Sequence, residues 1–230
     1  SIVFLADLLG PNQYRSFFSN YERMEGFMMI FHLYLYIIIL VSVFKTRRDW
    51  LVFFNLVLFA GLAVSYIALL QKLGLRISIQ GGFRVDSTIG NPAYLAAYLL
   101  FHVWLLLILL QQFWKKIWLR IIYGALLIFQ LAIIYFTATR GVTLALLIVF
   151  VALTAILAIF WKKVFGSQAP RYGRKIAITS LAILIVGSAV LWQVRNLKSV
   201  QSDPNLGRLT SYSLSERTIQ SRFTIWGMAF

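Results

Sequence analysis

The sequence contains no cysteine, which excludes disulfides, thiolate metal sites and thiol nucleophiles. Acidic residues are nearly as scarce, with seven Asp and Glu set against 22 Lys and Arg. The two histidines and the few carboxylates are not spaced as a metal-binding cluster. We therefore predict no metal site and no cofactor.

The few acids are also absent from the long apolar runs. The seven are Asp7, Glu22, Glu25, Asp49, Asp86, Asp203 and Glu216. An ion-coupled transporter normally carries ionisable groups near the membrane midplane, and here only His32 and His102 fall within apolar runs. Both histidines are interpreted as packing residues. Because the acids lie outside the apolar runs, a carboxylate relay across the membrane is excluded.

Apolar residues make up 60% of the chain, and its mean hydropathy is +0.81. Several runs approach the roughly 20 residues that cross a bilayer, and they are too long for barrel strands. These features predict an all-α polytopic membrane protein with about six transmembrane helices and an outer-face amphipathic helix. The predicted spans are 27–44, 51–71, 93–113, 121–137, 142–161 and 176–194. They divide the chain into an outer-face interfacial segment (1–26), a transmembrane helical domain (27–194) and the start of a large outer-face loop (195–230).

The net charge of +15 is placed in loops, where it sets orientation, so nucleic acid is not an expected partner. Lys and Arg are densest in the short connections after the first, third and fifth spans, which should therefore be cytoplasmic. Residues 81–91, the corner at 139–141 and the tail after residue 194 should then lie on the outer face. We expect the chain to be part of a longer protein.

The stretch 81–100 has the chemistry of an anion site. Asn91 is a good helix N-cap, and Pro92 stands at the first helical position, where its missing N–H costs nothing. The amides that follow are unpaired donors at the positive end of a helix dipole, and Arg84 precedes the cap by seven residues. Tyr94 could line the mouth of such a site, although interfacial anchoring is its plainer role.

Two further outer-face elements carry arginine. Arg140 stands in a four-residue corner between two spans. In the tail, the capping box at 213–216 opens a predicted helix with Arg222 on its polar flank. Because guanidinium binds two phosphate oxygens at once, the arginines that these outer-face elements carry suit a phosphate or pyrophosphate. The alternatives are a solvated loop charge for Arg84 and a headgroup-seeking side chain for Arg140.

Three motifs carry a resemblance to a known family. FRVDSTIGNPAYLAAYLL resembles the Arg…Gly-Asn-Pro-Asn segment of the bacterial O-antigen ligase and polymerase family. TATRGVTLALLIVF is similar to its Ser/Thr-Arg-Gly corner, and SRFTIW to its Arg-Phe-x-Ile-Trp segment. The motifs occur in the family's order, and the resemblance covers about residues 22–230. Ala93 and Thr139 depart from the family's commoner Asn and Ser.

The resemblance implies transfer of a glycan from an undecaprenyl-pyrophosphate carrier to an acceptor hydroxyl. The reaction would occur at the periplasmic or outer face of the bacterial inner membrane, without a metal. Arg84, Arg140 and Arg222 would contact the donor pyrophosphate or support its site. Apart from the resemblance, Asn91 and Tyr94 are our further candidates for substrate binding. The acceptor would be lipid A core, another glycan or a protein. The family's histidine, a proposed base in the large outer loop, has no counterpart before Phe230.

Two other functions stay open from the sequence. A flippase or exporter of lipid-linked polysaccharide would also need basic groups for pyrophosphate, but inside a cavity that opens alternately to both faces. A non-catalytic membrane subunit would merely bind anionic lipid. Concentration of the arginines on one face favours the transferase over the exporter.

Overall fold

The computed structural model describes residues 2–19, 25–165, 171–210 and 217–229. Throughout these ranges the regular elements are helices. They are α1 (Ile2–Leu9), α2 (Gln13–Phe18), α3 (Phe27–Val43), α4 (Arg47–Lys72), α5 (Pro92–Gln112), α6 (Ile117–Phe136), α7 (Arg140–Phe165), α8 (Arg171–Val194), α9 (Lys198–Ser202), α10 (Pro204–Thr210) and α11 (Arg217–Ala229). The chain is an all-α polytopic membrane protein, as its apolar runs predict.

Within the described ranges, five helices, α4 to α8, are long and apolar enough to cross a membrane. The first predicted span corresponds to α3, which has 17 residues. At about 1.5 Å per residue it extends roughly 25 Å, somewhat less than the ~30 Å hydrocarbon layer. Six apolar helices thus match the six predicted spans, and α3 is the shortest of them.

Several helices extend beyond the predicted bounds: α4, α6 and α8 begin four or five residues earlier than predicted, and α7 ends four residues later. α4 begins at Arg47, before the predicted start at residue 51. Its first turn is closed by a reciprocal cap, in which the Thr46 amide donates to Asp49 Oδ2 over 2.9 Å. The Asp49 amide in turn donates to Thr46 Oγ1 over 3.2 Å. This capping box extends the helix into the basic connection, where hydropathy gave no signal.

The chain divides into two compact units, Ser1–Leu56 and Val57–Phe230. The first unit contains α1, α2 and α3, and its centre is aromatic. The Phe4 ring lies 5.9 Å from that of Phe17 and 5.3 Å from that of Phe27. The predicted interfacial segment at 1–26 therefore folds as two short helices packed through phenylalanine rings, for the part that the structure describes.

The second unit has its core around α5. Leu95, Leu99 and Val103 of that helix are fully buried, as is Ile133 of α6. α5 packs along α6, and α7 packs along α8. Many large apolar side chains point away from this core and are exposed, as lipid-facing positions of a membrane bundle require.

Close approach of α4 and α5 depends on a glycine and a histidine. A Cβ at Gly61 would overlap the imidazole of His102, so only glycine fits against that ring. His102 Nδ1 lies 2.9 Å from the Tyr98 carbonyl oxygen, and Nε2 lies 3.1 Å from that of Val57. The packing role predicted for His102 is confirmed by these contacts.

The tail beyond α8 is helical in three pieces, of which the sequence predicted one. α11 forms where an amphipathic helix was predicted, and its Phe223 and Trp226 side chains are exposed. The predicted capping box at 213–216 lies outside the described residues. The unpredicted α10 is capped by Asp203, whose Oδ1 accepts from the Asn205 and Leu206 amides over 2.9 and 2.7 Å.

Candidate functional site

The connection between α4 and α5, residues 73–91, is folded around a buried carboxylate. Asp86 is fully buried. Its Oδ1 accepts a hydrogen bond from Gln71 Nε2 over 2.8 Å. Its Oδ2 accepts from Ser78 Oγ over 2.9 Å and from the Gln80 amide over 2.7 Å. The carboxylate thus joins the end of α4 to both halves of the connection.

Gln71 completes this attachment from the helix side. Its Oε1 accepts hydrogen bonds from the Asp86 amide over 3.1 Å and from the Ser87 amide over 2.7 Å. The Ser87 hydroxyl donates to the Val64 carbonyl, about two helical turns before Gln71, over 2.7 Å. A long polar connection is thereby docked on α4 with its buried polar groups paired, which fixes the position of the residues it carries.

The electrostatics of Asp86 follow from these contacts. Burial is the largest single influence and raises the pKa of the carboxyl group. The hydrogen bonds from the Gln80 amide, Ser78 and Gln71 together outweigh it, so the pKa of Asp86 lies below its ordinary value. The group is therefore ionised at neutral pH, and its charge is neutralised by directed donors rather than by a basic side chain.

Arg84 ties the same connection to the corner between α6 and α7. Its Nε donates to the Thr137 carbonyl oxygen over 2.8 Å, and its Nη2 donates to Thr139 Oγ1 over 3.1 Å. Thr139 Oγ1 in turn donates to the Pro92 carbonyl at the start of α5 over 3.2 Å. The ends of α4, α5, α6 and α7 therefore meet at one end of the second unit.

The corner itself has an unusual backbone. Ala138 is fully buried and has a φ of 47°, in the left-handed region that a residue with a Cβ adopts at a cost. The two residues beside it, Thr137 and Thr139, are the two that Arg84 contacts. Arg84 thus holds the corner in the conformation that places Arg140 at the first position of α7.

A third arginine joins this end of the unit from α10. Arg140 Nε donates to the Arg208 carbonyl oxygen over 2.6 Å. The guanidinium of Arg208 is near enough to Arg84 to act on its charge. The pKa of Arg84 is lowered by burial first and by the positive charge of Arg208 second. We refer to Arg84, Arg140 and Arg208 as the arginine cluster.

The site residues predicted from the sequence meet different outcomes. Arg84 and Arg140 are brought together, and Asn91 caps α5 as predicted, with its Oδ1 accepting from the Ala93 amide over 2.8 Å. Tyr94 is 64% exposed on the first turn of α5. Arg222 belongs to α11, and its side chain lies outside the described residues.

Sequence reasoning missed Arg208. The segment that carries it is a seven-residue helix, too short for a hydrophobic period to show. A signal was present, since Asp203-Pro204 is an acidic N-cap followed by proline at the first helical position. That pair predicts a helix start five residues before Arg208.

Three arginines thus come to one end of the second unit. Phosphate oxygens are natural acceptors for guanidinium, because charge-assisted hydrogen bonds to it are short and strong. Among the residues that the structure describes, no group of His, Asp and Glu is arranged to hold a metal ion.

The chain matches no protein-family model, no curated protein and no solved structure. Its function is accordingly inferred from the membrane helices, the arginine cluster and the chemistry that these two features support together.

Proposed function

We propose that this chain is the membrane part of a glycan transferase of the O-antigen ligase type. It would take a glycan from an undecaprenyl-pyrophosphate carrier and pass it to an acceptor hydroxyl at the outer face of the bacterial inner membrane. The observation that carries the proposal is the arginine cluster at one end of a polytopic helical unit. A membrane-embedded lipid diphosphate presents its charge at the membrane surface, where the ends of membrane-spanning helices lie.

In the proposed reaction, an acceptor oxygen attacks the anomeric carbon of the donor glycan. A new carbon–oxygen bond forms as the bond between that carbon and the phosphate oxygen breaks. The bonding electrons leave with the diphosphate, whose growing charge the guanidinium groups stabilise. The acceptor proton passes to a general base, for which the resemblance implies a histidine in the family's large outer loop. The acceptor would be lipid A core, another glycan or a protein.

The members of the cluster take different parts. Arg84 uses Nε and Nη2 to hold the corner, so it positions the cluster. Arg140 is anchored through Nε to α10. Arg208 is exposed, its carbonyl oxygen accepts from Arg140, and its charge acts on Arg84. Variants at Arg140 and Arg208 test the proposed binding of the diphosphate.

The test uses the full-length protein in liposomes with an undecaprenyl-pyrophosphate-linked glycan and its acceptor. Arg140→Gln and Arg208→Gln are each expected to lower the rate of transfer about 100-fold, as removal of one donor to a developing charge does in other enzymes. Arg195→Gln is the matched control, because the Arg195 guanidinium stacks on Trp192 at 3.7 Å instead of joining the cluster. Its transfer rate should match that of the unmodified protein.

Normal transfer by both cluster variants would contradict the mechanism. The same liposomes distinguish the exporter, since a labelled donor lipid that crosses the bilayer without transfer of its glycan would favour a flippase. Binding of the donor lipid with neither translocation nor transfer would favour a non-catalytic lipid-binding subunit.

A further inference from the structure

The first half of the α4–α5 connection has an apolar row that faces outward. Four large aliphatic residues alternate with smaller or polar ones, and each is strongly exposed. They are Leu73 (62%), Leu75 (74%), Ile77 (88%) and Ile79 (70%). We call these four residues the aliphatic row. A connection in water would place such side chains inward, so their exposure shows that water is not the surroundings this segment is built for.

One polar residue of this segment, Ser78, turns inward. Its hydroxyl and the backbone amide of Gln80 donate hydrogen bonds to the buried carboxylate of Asp86. Because Ser78 is held toward that carboxylate, its neighbours Ile77 and Ile79 cannot turn inward without breaking the contact. The outward direction of these two isoleucines is thus a consequence of the Asp86 contacts.

A basic cleft lies beside the aliphatic row. It has a volume of about 370 Å³, within the range of small-ligand sites. Lys72, Arg76 and Arg84 contribute to its lining, together with the glycine pair Gly81 and Gly82. No acidic residue of the described chain lines it.

The nearest negative charge does not neutralise the cleft. The Asp86 carboxylate is fully buried and is bound to three other donors. Three cationic side chains against one buried carboxylate leave an excess of positive charge in the cleft, which favours an anion. A negatively charged phosphate group is small enough for the volume of the cleft, and its oxygens can accept hydrogen bonds from the basic side chains that line the cleft.

We propose that this cleft binds the phosphate headgroup of an anionic phospholipid, whose acyl chains lie against the aliphatic row. The connection joins two membrane-spanning helices, α4 and α5, so it lies at the depth of the headgroups. Cations and exposed aliphatic side chains side by side are complementary to a charged lipid, whereas a free phosphate would need the cations alone. Bound lipid would also hold Arg84 in place, because that residue belongs to both the cleft and the arginine cluster.

The experiment measures lipid retained by the full chain in detergent, by native mass spectrometry against added phosphatidylglycerol, phosphatidylcholine and inorganic phosphate. Phosphatidylglycerol is expected to bind at least about 10-fold more tightly than phosphatidylcholine. Lys72→Gln with Arg76→Gln should weaken phosphatidylglycerol about 30-fold, since each basic residue at an anionic surface contributes about fivefold. Arg195→Gln should leave it unchanged.

A second variant identifies the source of the phosphate. Ile77→Ser with Ile79→Ser should weaken phosphatidylglycerol and leave binding of inorganic phosphate as it was. Equal binding of the two lipids would overturn the proposal, as would an unaffected Lys72/Arg76 variant. Inorganic phosphate bound as tightly as the lipid, with no effect of the isoleucine changes, would assign the cleft to a free anion instead. Each of these results leaves the glycan-transfer proposal standing, because that proposal depends on Arg140 and Arg208.

Discussion

Arg84→Ala is expected to detach the α4–α5 connection from the α6–α7 corner and to lower the free energy of unfolding by about 2–3 kcal/mol. The variant loses charge-assisted hydrogen bonds to the Thr137 carbonyl and to Thr139 Oγ1. Thr137 is fully buried, and among the described residues its carbonyl would lose the 2.8 Å donor that Arg84 supplies. Unfolding in mixed micelles measures the loss, and limited proteolysis of residues 73–91 measures the detachment.

Two further variants make this result specific. Arg84→Lys should recover less than half of the loss, because one ammonium cannot reproduce the planar fork that reaches both acceptors. Arg76→Ala is the matched control, since Arg76 belongs to the same connection and its side chain makes no hydrogen bond within the described part of the chain. Unchanged stability and an intact proteolysis pattern for Arg84→Ala would show that the loop is held by other contacts.

Asp86→Asn is expected to lower the free energy of unfolding by about 2–4 kcal/mol at pH 7. The carboxylate accepts from Gln71, Ser78 and the Gln80 amide, all directed at its two oxygens. An amide keeps one oxygen and turns an NH₂ group toward a donor, which leaves a buried polar group unpaired. The variant should unfold at a lower denaturant concentration than the unmodified protein.

The difference in unfolding free energy between the unmodified protein and Asp86→Asn should depend on pH with a definite sign. The folded pKa of Asp86 lies below its unfolded value of about 3.9, so the carboxylate contributes its stability fully above that value. The contribution is lost as the pH falls through the folded pKa. Unfolding measured from pH 7 to pH 3 should therefore show the unmodified protein losing more stability than Asp86→Asn, and the gap narrowing at the acid end.

Asp7→Asn is the control for loss of a carboxylate elsewhere in the chain. The Asp7 carboxylate makes no hydrogen bond among the residues described, so this variant should be as stable at pH 7 as the unmodified protein. A gap between the unmodified protein and Asp86→Asn that stays constant, or widens, toward pH 3 would mean that the carboxylate is not the group that holds the connection.

The sequence predicted those features that depend on local chemistry. Apolar runs located the membrane helices, because a span must be apolar along its whole length. Asn91 and Pro92 located the start of α5, since capping involves neighbours in the chain. The sequence also predicted that Arg84 and Arg140 lie at the same end of the helices, because helices joined by short connections alternate in direction.

The contacts that build the site were beyond such reasoning. Gln71 and Asp86 pair across fifteen residues, and Arg84 finds Thr137 across fifty-three. Neither separation carries a periodic signal. The aliphatic row was visible as an alternation of residues 73–79, yet the direction that its two isoleucines face is set by the Asp86 network. Packing of α10 against α7, which brings in Arg208, is likewise a tertiary event.

The central claim is that Arg140 and Arg208 act together on one anion at the end of the bundle. Its most direct test is the dissociation constant of a polyprenyl diphosphate, measured with the full-length protein and with Arg140→Gln, Arg208→Gln and Arg195→Gln. The account predicts that each cluster variant weakens binding by about 10-fold or more while Arg195→Gln does not. Equal affinity in all four proteins would contradict it.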